Sequence, residues 1–294
     1  MIRFFYLLLA LPLGCLSVQA QPVAAARPPQ RTTAEPPGGP VSPIYLKVYG
    51  YYGPLTPGSL LSSTYSNNAT GGQTFKTTRF GLGAGARAGI GIGFIASDFI
   101  NLGLDADWLF ADKLKRENAT SYNNFTYSNT ITTNLQVASL VPNITFKALA
   151  RPSYYIYNRL GIMVGAVLTY EQVINELNTG PKVSPTTGVY RWRFSKNSLA
   201  LGYQAALGVQ FHLSETLRGF VELVAINQSF RPQEGTFSYV STQDGKTLSN
   251  DATSFVYKSG VAGVTTDAQG RNVVPVTNVA MNSVGVGAGL VYRF

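Results

Sequence analysis

Residues 283–294 read SVGVGAGLVYRF, a stretch in which apolar and small residues alternate and the last residue is aromatic. In an extended strand, successive side chains point to opposite faces, so every second residue shares one side. The apolar face of this stretch holds Val286, Ala288, Leu290, Tyr292 and Phe294. Glycine dominates the opposite face, and glycine at this density disfavours a helix. The stretch therefore predicts a β-strand with one apolar and one small face.

The same two-residue period recurs through most of the chain. Residues 79–94, RFGLGAGARAGIGIGF, place apolar side chains on one face and glycine or arginine on the other. Residues 99–110, FINLGLDADWLF, set apolar residues against asparagine, glycine and aspartate. Eight strands of this kind are predicted, at 44–52, 79–94, 99–110, 132–149, 154–170, 197–213, 217–227 and 281–294.

The predicted fourth strand interrupts its own pattern. Leu135 and Val137 share one parity with Val141, whereas the apolar residues from Ile144 onward share the other. Pro142 lies at the change, and proline cannot donate a hydrogen bond to a neighbouring strand. A β-bulge near Pro142 accounts for both observations and is predicted here.

The connections between the predicted strands alternate in length. Short turns are expected at 97–98, 150–153 and 214–216. Long polar loops, rich in asparagine, serine, threonine and tyrosine, are expected at 53–78, 111–131, 171–196 and 228–280. The four long loops therefore emerge at one end of the sheet, whereas the short turns and both ends of the strand series lie at the other.

This pattern suits a membrane better than water. A soluble antiparallel sheet buries its apolar face, but these strands have aromatic residues near their ends and are long enough to cross a bilayer, which takes ~9–11 tilted residues. Open sheet edges cannot be satisfied in hydrocarbon, so the strands must close on themselves. The predicted fold is all-β, a closed antiparallel transmembrane β-barrel of eight strands with up-and-down topology. Ten strands are the alternative if the fourth loop adds a pair.

From Ile44 to Phe294 the chain resembles the small eight-stranded outer-membrane β-barrel family, which includes the membrane domain of outer-membrane protein A. The resemblance rests on architecture and, most specifically, on the alternating final strand. It implies that Val286, Ala288, Leu290, Tyr292 and Phe294 form the signal that the outer-membrane assembly machinery recognises. We expect a monomer in the cell outer membrane, in contact with outer-membrane lipids and with both termini in the periplasm.

The first residues of the chain predict export. Residues 1–20, MIRFFYLLLALPLGCLSVQA, combine a basic residue, an apolar core and a small-x-small end, as in a secretory signal peptide cleaved after Ala20. Lipidation at Cys15 is the alternative. Residues 21–43 are proline-rich and predict an extended periplasmic linker, with the barrel at 44–294. Cleavage after Ala20 removes the one cysteine of the chain, so disulfides are not expected.

Charged residues are predicted to face the interior of the barrel. On this register the inward set is Arg79, Arg87, Asp105, Asp107, Arg159, Glu222 and Arg293. The turn before the third strand brings Arg87 opposite or diagonal to Asp107 and Asp105, which predicts a cross-strand ion pair. The preferred interpretation is an internal network that fills the lumen, with inward glycines making room. A narrow ion-conducting path is the alternative, because lumen charges set selectivity.

Other chemistries find little support in the sequence. Gly83-x-Gly85-x-x-Ala88 loosely matches a dinucleotide fingerprint, but that motif needs a helix after the turn. His212 invites comparison with outer-membrane enzymes that use histidine and serine, yet Ser198 lies too far along the same strand to serve it. The net charge of +9 is scattered over a chain with only 13% charged residues, so nucleic acid is not an expected partner. No cofactor or metal is expected.

The predicted function is therefore a non-enzymatic one at the cell surface. The barrel anchors the chain, and the four long loops meet an extracellular ligand, since exposed loops on a rigid scaffold commonly carry binding residues. A channel for ions or small solutes is the alternative, and an outer-membrane lipid-modifying enzyme ranks third.

Overall fold

A computed structural model describes residues 42–56, 60–67, 73–111, 113–122, 125–151, 153–181, 183–261 and 263–294. All regular secondary structure in these ranges is β-strand. The predicted signal peptide, Cys15 and nearly all of the predicted linker lie outside the described residues. Among the residues described, no helix has the length and apolar composition needed to cross a membrane.

Seventeen strands follow one another along the described chain. They are β1 (Ile44–Leu55), β2 (Leu60–Asn67), β3 (Gln73–Phe80), β4 (Gly85–Ile95), β5 (Ile100–Ala111), β6 (Leu114–Tyr122), β7 (Phe125–Ala150), β8 (Tyr154–Gly180), β9 (Val183–Asn197), β10 (Ala200–His212), β11 (Leu217–Phe230), β12 (Pro232–Gln243), β13 (Lys246–Lys258), β14 (Thr265–Thr266), β15 (Asn272–Pro275), β16 (Val279–Ala280) and β17 (Ser283–Arg293). The all-β, antiparallel prediction is confirmed, whereas the number of strands exceeds the predicted eight.

Eight of these strands pair in a ring. Their order is β1, β4, β5, β7, β8, β10, β11 and β17, and each neighbouring pair is antiparallel. β17 returns to β1, with Arg293 opposite Tyr45 and Val286 opposite Tyr52. The last strand is thus hydrogen-bonded on both sides. At one end of the ring the connections are short, at 96–99, 151–153 and 213–216, and we call this the short-turn end and the opposite one the upper end.

Side chains on the ring strands alternate between an exposed outer face and a buried interior. The exposed large apolar side chains of the outer face, here called the outer belt, include Leu46, Val48, Ile90, Ile92, Leu102, Leu104, Leu140, Leu160, Ile162, Leu201, Leu207, Val221, Leu223, Val286 and Leu290. Exposed aromatic side chains flank the belt, at Phe94, Phe99, Phe146, Phe211, Tyr292 and Phe294 toward the short-turn end and at Tyr52, Trp108, Phe110 and Tyr203 toward the upper end. All eight ring strands contribute to the outer belt, so this apolar surface continues round the ring.

β7 keeps its alternation through Pro142, contrary to the predicted bulge. Pro142 lies opposite Leu104 on the exposed outer face, and the register shifts between β7 and β8 occur elsewhere along the pair. The change of parity has a different cause, because Leu135, Val137 and Val141 point into the ring and are fully buried there. Apolar side chains on the inward face, rather than an inserted residue, break the expected pattern.

The strand predicted at 79–94 is in fact two strands. β3 ends at Phe80 and pairs with β2 in a separate two-stranded sheet, whereas β4 begins at Gly85 and belongs to the ring. Between them Leu82 is buried in an apolar cluster. Gly85 has a φ of 134°, a backbone conformation that residues other than glycine rarely adopt. Arg79 therefore lies on β3, opposite Leu61, and not on a ring strand as predicted.

The segments predicted to be long loops contain strands as well. β7 and β8 have 26 and 27 residues, which is roughly 85 Å at ~3.3 Å per residue and far more than the ~9–11 residues that cross a bilayer. Beyond the ring their ends pair with β6 and β9, and β12 and β13 extend the sheet further. This extension, made of β6, β9, β12, β13, β15 and the far ends of β7 and β8, is called the upper sheet.

Candidate functional site inside the strand ring

Inward side chains fill the ring at three levels, and small residues make this possible. A Cβ on Gly208 would lie 2.5 Å from the ring of Tyr157, and one on Gly91 would overlap the carboxylate of Asp105. An eight-stranded ring has an interior just wide enough for side chains. Glycine at these inward positions therefore leaves the space that charged and aromatic neighbours occupy.

The middle level is a chain of buried ion pairs. Lys47 Nζ lies 2.5 Å from Asp105 Oδ2, and the same oxygen accepts a hydrogen bond from Arg159 at 3.1 Å. The other terminal nitrogen of Arg159 pairs with Glu222, whose second oxygen accepts a hydrogen bond from the Tyr157 hydroxyl at 2.9 Å. The four charged side chains are at most 9% exposed. Arg159 thus joins carboxylates from β5 and β11, which are opposite each other in the ring.

A second buried pair lies nearer the upper end. Arg87 Nη1 lies 3.0 Å from Asp107 Oδ1, and Arg87 Nη2 donates to Gln228 Oε1 at 3.3 Å. Gln228 in turn donates to Ser139 Oγ at 3.2 Å. Arg87 of β4 therefore pairs with Asp107. Asp105, the other partner predicted for Arg87, pairs instead with Lys47 of β1 and Arg159 of β8.

The charges of these two groups balance. Three cations, Lys47, Arg87 and Arg159, face three carboxylates, Asp105, Asp107 and Glu222. Each carboxylate has a cationic partner, which is the condition for keeping a charge in a buried site. In the described part of the chain, no three His, Cys, Asp or Glu side chains are grouped as metal ligands. The network therefore fills the middle of the ring with paired charges.

The upper level is apolar. Its fully or nearly fully buried members are Leu82, Leu109, Leu135, Val137, Ala200, Phe230 and Met281. Leu82 and Met281 come from segments outside the ring strands, and the Met281 amide donates to the Gln228 carbonyl at 2.7 Å. A Cβ on Gly83 would lie 2.6 Å from the Met281 carbonyl carbon. The two segments are therefore packed tightly together where they close this end of the interior.

The level at the short-turn end is basic and encloses a cavity of about 40 Å³. We call it the basic mouth, and its side chains at this level include Asn101, Lys147, Tyr155, Gln210, Arg218 and Arg293. The cavity also reaches Lys47, Arg159 and Glu222 of the middle level. Lys147 Nζ lies 5.5 Å and the Arg218 guanidinium carbon 5.9 Å from the centroid of the Tyr155 ring, as in cation–π contacts. The Tyr155 hydroxyl donates to Gln210 Oε1 at 2.5 Å. Positive charge is therefore concentrated around one aromatic ring.

Most predicted interior residues lie in the middle level or next to it. They are Arg87, Asp105, Asp107, Arg159 and Glu222. Arg293 belongs instead to the basic mouth, and the side chain of Arg79 lies outside the described residues. The predicted set omits Lys47, Lys147 and Arg218. The two-residue period could have added Lys47, because Lys47 shares the inward face of β1 with Tyr45 and Tyr49.

The residues predicted to form an assembly signal lie on the outer face of β17 and just beyond it. They are exposed, at Val286, Ala288, Leu290, Tyr292 and Phe294. Their backbone is tied into the ring, because β17 pairs with both β1 and β11 and the Phe294 carbonyl accepts the Ser42 amide at 2.7 Å. Recognition by the assembly machinery stays a prediction.

His212 and Ser198 do not form a catalytic pair. His212 ends β10 at the short-turn end and is exposed, with its amide donating to the Ser153 carbonyl. Ser198 precedes the other end of the same strand, and its hydroxyl accepts the Arg231 amide at 2.9 Å. A general base must lie within hydrogen-bond reach of its nucleophile, and these residues are separated by the length of the strand.

The upper sheet has one aromatic face. Its members are Tyr170, Tyr190, Trp192, Phe194, Phe237 and Tyr239. The rings pack in pairs across strands, with centroid distances of 4.3 Å for Tyr190–Tyr239 and 4.5 Å for Trp192–Phe237. Burial, together with hydrogen bonds to Tyr239 and Glu176, raises the pKa of Tyr190. The face is thus a stacked surface that carries phenol groups.

Comparison with known proteins assigns no family to this chain. No protein-family model and no curated protein matches it. Among solved structures, the outer membrane protease OmpT from Escherichia coli aligns with a TM-score of 0.32 and 10% identity, over 88% of this chain and 99% of that chain. The toluene transporter TodX from P. putida aligns with a TM-score of 0.19 and 8% identity, over 85% and 88% of the two chains. Likenesses this distant do not assign a function to the chain.

Proposed function

We propose that this chain is a non-enzymatic protein of the bacterial outer membrane. The eight ring strands form a closed transmembrane barrel of the small eight-stranded kind, and the barrel anchors the upper sheet at the cell surface. One observation carries the proposal: an apolar belt runs round the outer face of the ring over all eight strands, and side chains fill its inside.

The outer belt supports the membrane location. Leu207 and Ile162 are 60% and 65% exposed, although both lie in ring strands that are paired on both sides. Soluble monomers rarely expose a contiguous apolar patch of more than a few hundred Å², whereas this belt runs over every strand of the ring. The closed pairing satisfies backbone groups without water, which a structure in hydrocarbon requires.

The asymmetry of the two ends supports an orientation. Membrane barrels of this class have short turns on the periplasmic side and longer segments outside the cell. The short-turn end then faces the periplasm, with both ends of the strand series, and the upper sheet projects outward. The ring is completed within one chain, which favours a monomer surrounded by outer-membrane lipids. The outward residues of β17 are then available to the assembly machinery.

The filled interior supports an anchor rather than a channel. Leu109, Met163 and Met281 are fully buried inside the ring, and the middle level is crossed by the pairs that Arg159 makes with both of its carboxylates. A conducting path needs a continuous aqueous lumen, as in barrels with many more strands. The function outside the membrane then belongs to the upper sheet, whose aromatic face offers the tyrosine and tryptophan side chains common at binding surfaces.

Recording of purified protein in planar lipid bilayers tests the anchor against the channel. We expect no conductance steps above background, because the three interior levels leave no aqueous path. Two matched variants sharpen the experiment, Met281→Ala in the buried upper level and Leu290→Ala on the outer face. Steps from the wild type that grow in Met281→Ala but not in Leu290→Ala would show that the interior conducts and would overturn the anchor.

A further inference from the structure

The basic mouth differs from the rest of the interior in carrying unmatched charge. Lys147, Arg218 and Arg293 converge there from β7, β11 and β17. In the described chain none of the three forms an ion pair with a carboxylate, in contrast with the balanced middle level. Asp98, in the exposed turn after β4, contributes only a longer-range attraction to Lys147. Glu222 also lines the cavity but is already paired with Arg159, so the three half-buried cations have no carboxylate of their own and favour an anion beside them.

The same cavity contains polar atoms that have no partner. The Nε atoms of Arg218 and Arg293 and the Oδ1 atom of Asn101 are buried without a hydrogen bond. Asn101 is only 7% exposed and lines the cavity with the two arginines. Buried donors and acceptors in native proteins are almost always satisfied, by protein, water or a bound group. The two arginine Nε–H groups therefore call for an occupant that accepts hydrogen bonds, and the Asn101 oxygen calls for one that also carries a donor, as protonated phosphate does.

The size and charge of the cavity restrict this occupant. A volume of about 40 Å³ corresponds to roughly three to four water-sized spheres of ~10–15 Å³, which limits the occupant to a small group. A monocarboxylate supplies one negative charge against three cations. Free phosphate or a phosphate monoester supplies roughly 1.5 to 2 negative charges near neutral pH and at least three strong acceptor oxygens, and guanidinium groups match its geometry.

We infer that the basic mouth binds a phosphate group. Arg218 and Arg293 supply charge-assisted hydrogen bonds, and Lys147, beside the Tyr155 ring, supplies a further charge. The phosphate group comes either from free phosphate in solution or from a lipid whose head group is a phosphate monoester, as in phosphatidic acid. The site requires only the ring described above and does not depend on what the upper sheet binds.

Titration calorimetry with inorganic phosphate, on protein held in a phosphate-free glucoside detergent, tests this site. We expect saturable binding by the wild type that weakens about tenfold or more in Arg218→Gln and in Arg293→Gln, as for the loss of one charge-assisted hydrogen bond. Arg231→Gln is the matched control, because Arg231 is an exposed arginine just beyond the opposite end of β11. Far-ultraviolet circular dichroism confirms that each variant keeps its strands, and Lys147→Gln replaces any variant that does not.

Micelles doped with phosphatidic acid, a phosphate monoester, separate the two sources. If the doped lipid competes with inorganic phosphate in the wild type but not in Arg293→Gln, the head group is a ligand of the site. If the doped lipid leaves phosphate binding unchanged, free phosphate is the ligand. No saturable binding of either, or equal affinity in the wild type and in the basic-mouth variants, overturns the inference.

Discussion

Arg159→Met is expected to destabilise the protein by about 3–5 kcal/mol, the usual cost of removing one partner from a buried ion pair. Arg159 bridges Asp105 and Glu222 across the ring. Without the guanidinium, Asp105 keeps Lys47, but Glu222 is left with the Tyr157 hydroxyl as its remaining partner in the network. Equilibrium unfolding in urea, with the protein in lipid vesicles, measures the change.

Two further variants distinguish the effect of breaking a buried ion pair from the effect of losing any one charge. Arg159→Met combined with Glu222→Leu should recover part of the lost stability, because the uncompensated carboxylate is then gone. Lys115→Met removes one partner of the exposed pair with Glu117, whose side chains are 62% and 68% exposed, and should cost less than about 1 kcal/mol. Equal losses in Arg159→Met and Lys115→Met would contradict a buried network.

Leu207→Arg is expected to cost about 2–4 kcal/mol, as for arginine placed on the lipid face near the middle of a bilayer. Leu207 lies near the middle of β10, between Asn158 of β8 and Leu223 of β11 in the two registers. Its side chain is 60% exposed, so in water the same substitution should be nearly neutral. The urea unfolding used for Arg159 measures it.

Leu248→Arg is the control for this second substitution. Leu248 is 59% exposed, an exposure nearly equal to that of Leu207, but it lies on β13 in the upper sheet. We expect its stability to change by less than about 0.5 kcal/mol. Similar effects of the two substitutions would mean that the outer belt and the upper sheet face the same solvent.

The ring strands could be predicted from the sequence because each follows a period of two. In β4, Ile90 and Ile92 alternate with glycines, and this pattern shows both the strand and its outward face. The same pattern gave a wrong prediction, the bulge near Pro142, where apolar side chains also face the interior. Leu135 and Val137 point inward at the upper level, and no rule that assigns apolar residues to the outside can place them.

The upper sheet was missed because its strands are polar and resemble loops in composition. A signal was nevertheless present in β9, where Tyr190, Trp192 and Phe194 alternate with Arg191 and Arg193. That alternation marks a strand with an aromatic and a charged face. Its partners, by contrast, come from β8 and β12, and pairing over such distances in the sequence depends on the fold.

The sequence predicted most of the charged residues that face the interior, but not which of them form ion pairs with each other. The inward parity of Asp105, Arg159 and Glu222 follows from the strand pattern alone. Which charges meet depends on the stagger of the strands round the ring, since Asp105 and Glu222 come from strands on opposite sides. The basic mouth was missed for a related reason, because its cations come from three strands that a linear pattern does not bring together.

The central claim, that the outer face of the ring contacts lipid, is tested most directly by the two tryptophans of the chain. Trp108 lies on the outer face and is 41% exposed, whereas Trp192 lies in the upper sheet, packed on Phe237. Single-tryptophan variants, Trp192→Phe and Trp108→Phe, are reconstituted in vesicles whose lipid tails are brominated and quench nearby fluorescence. We expect strong quenching of Trp108 and little of Trp192. Equal quenching of the two, or none of Trp108, would contradict a ring that spans the membrane.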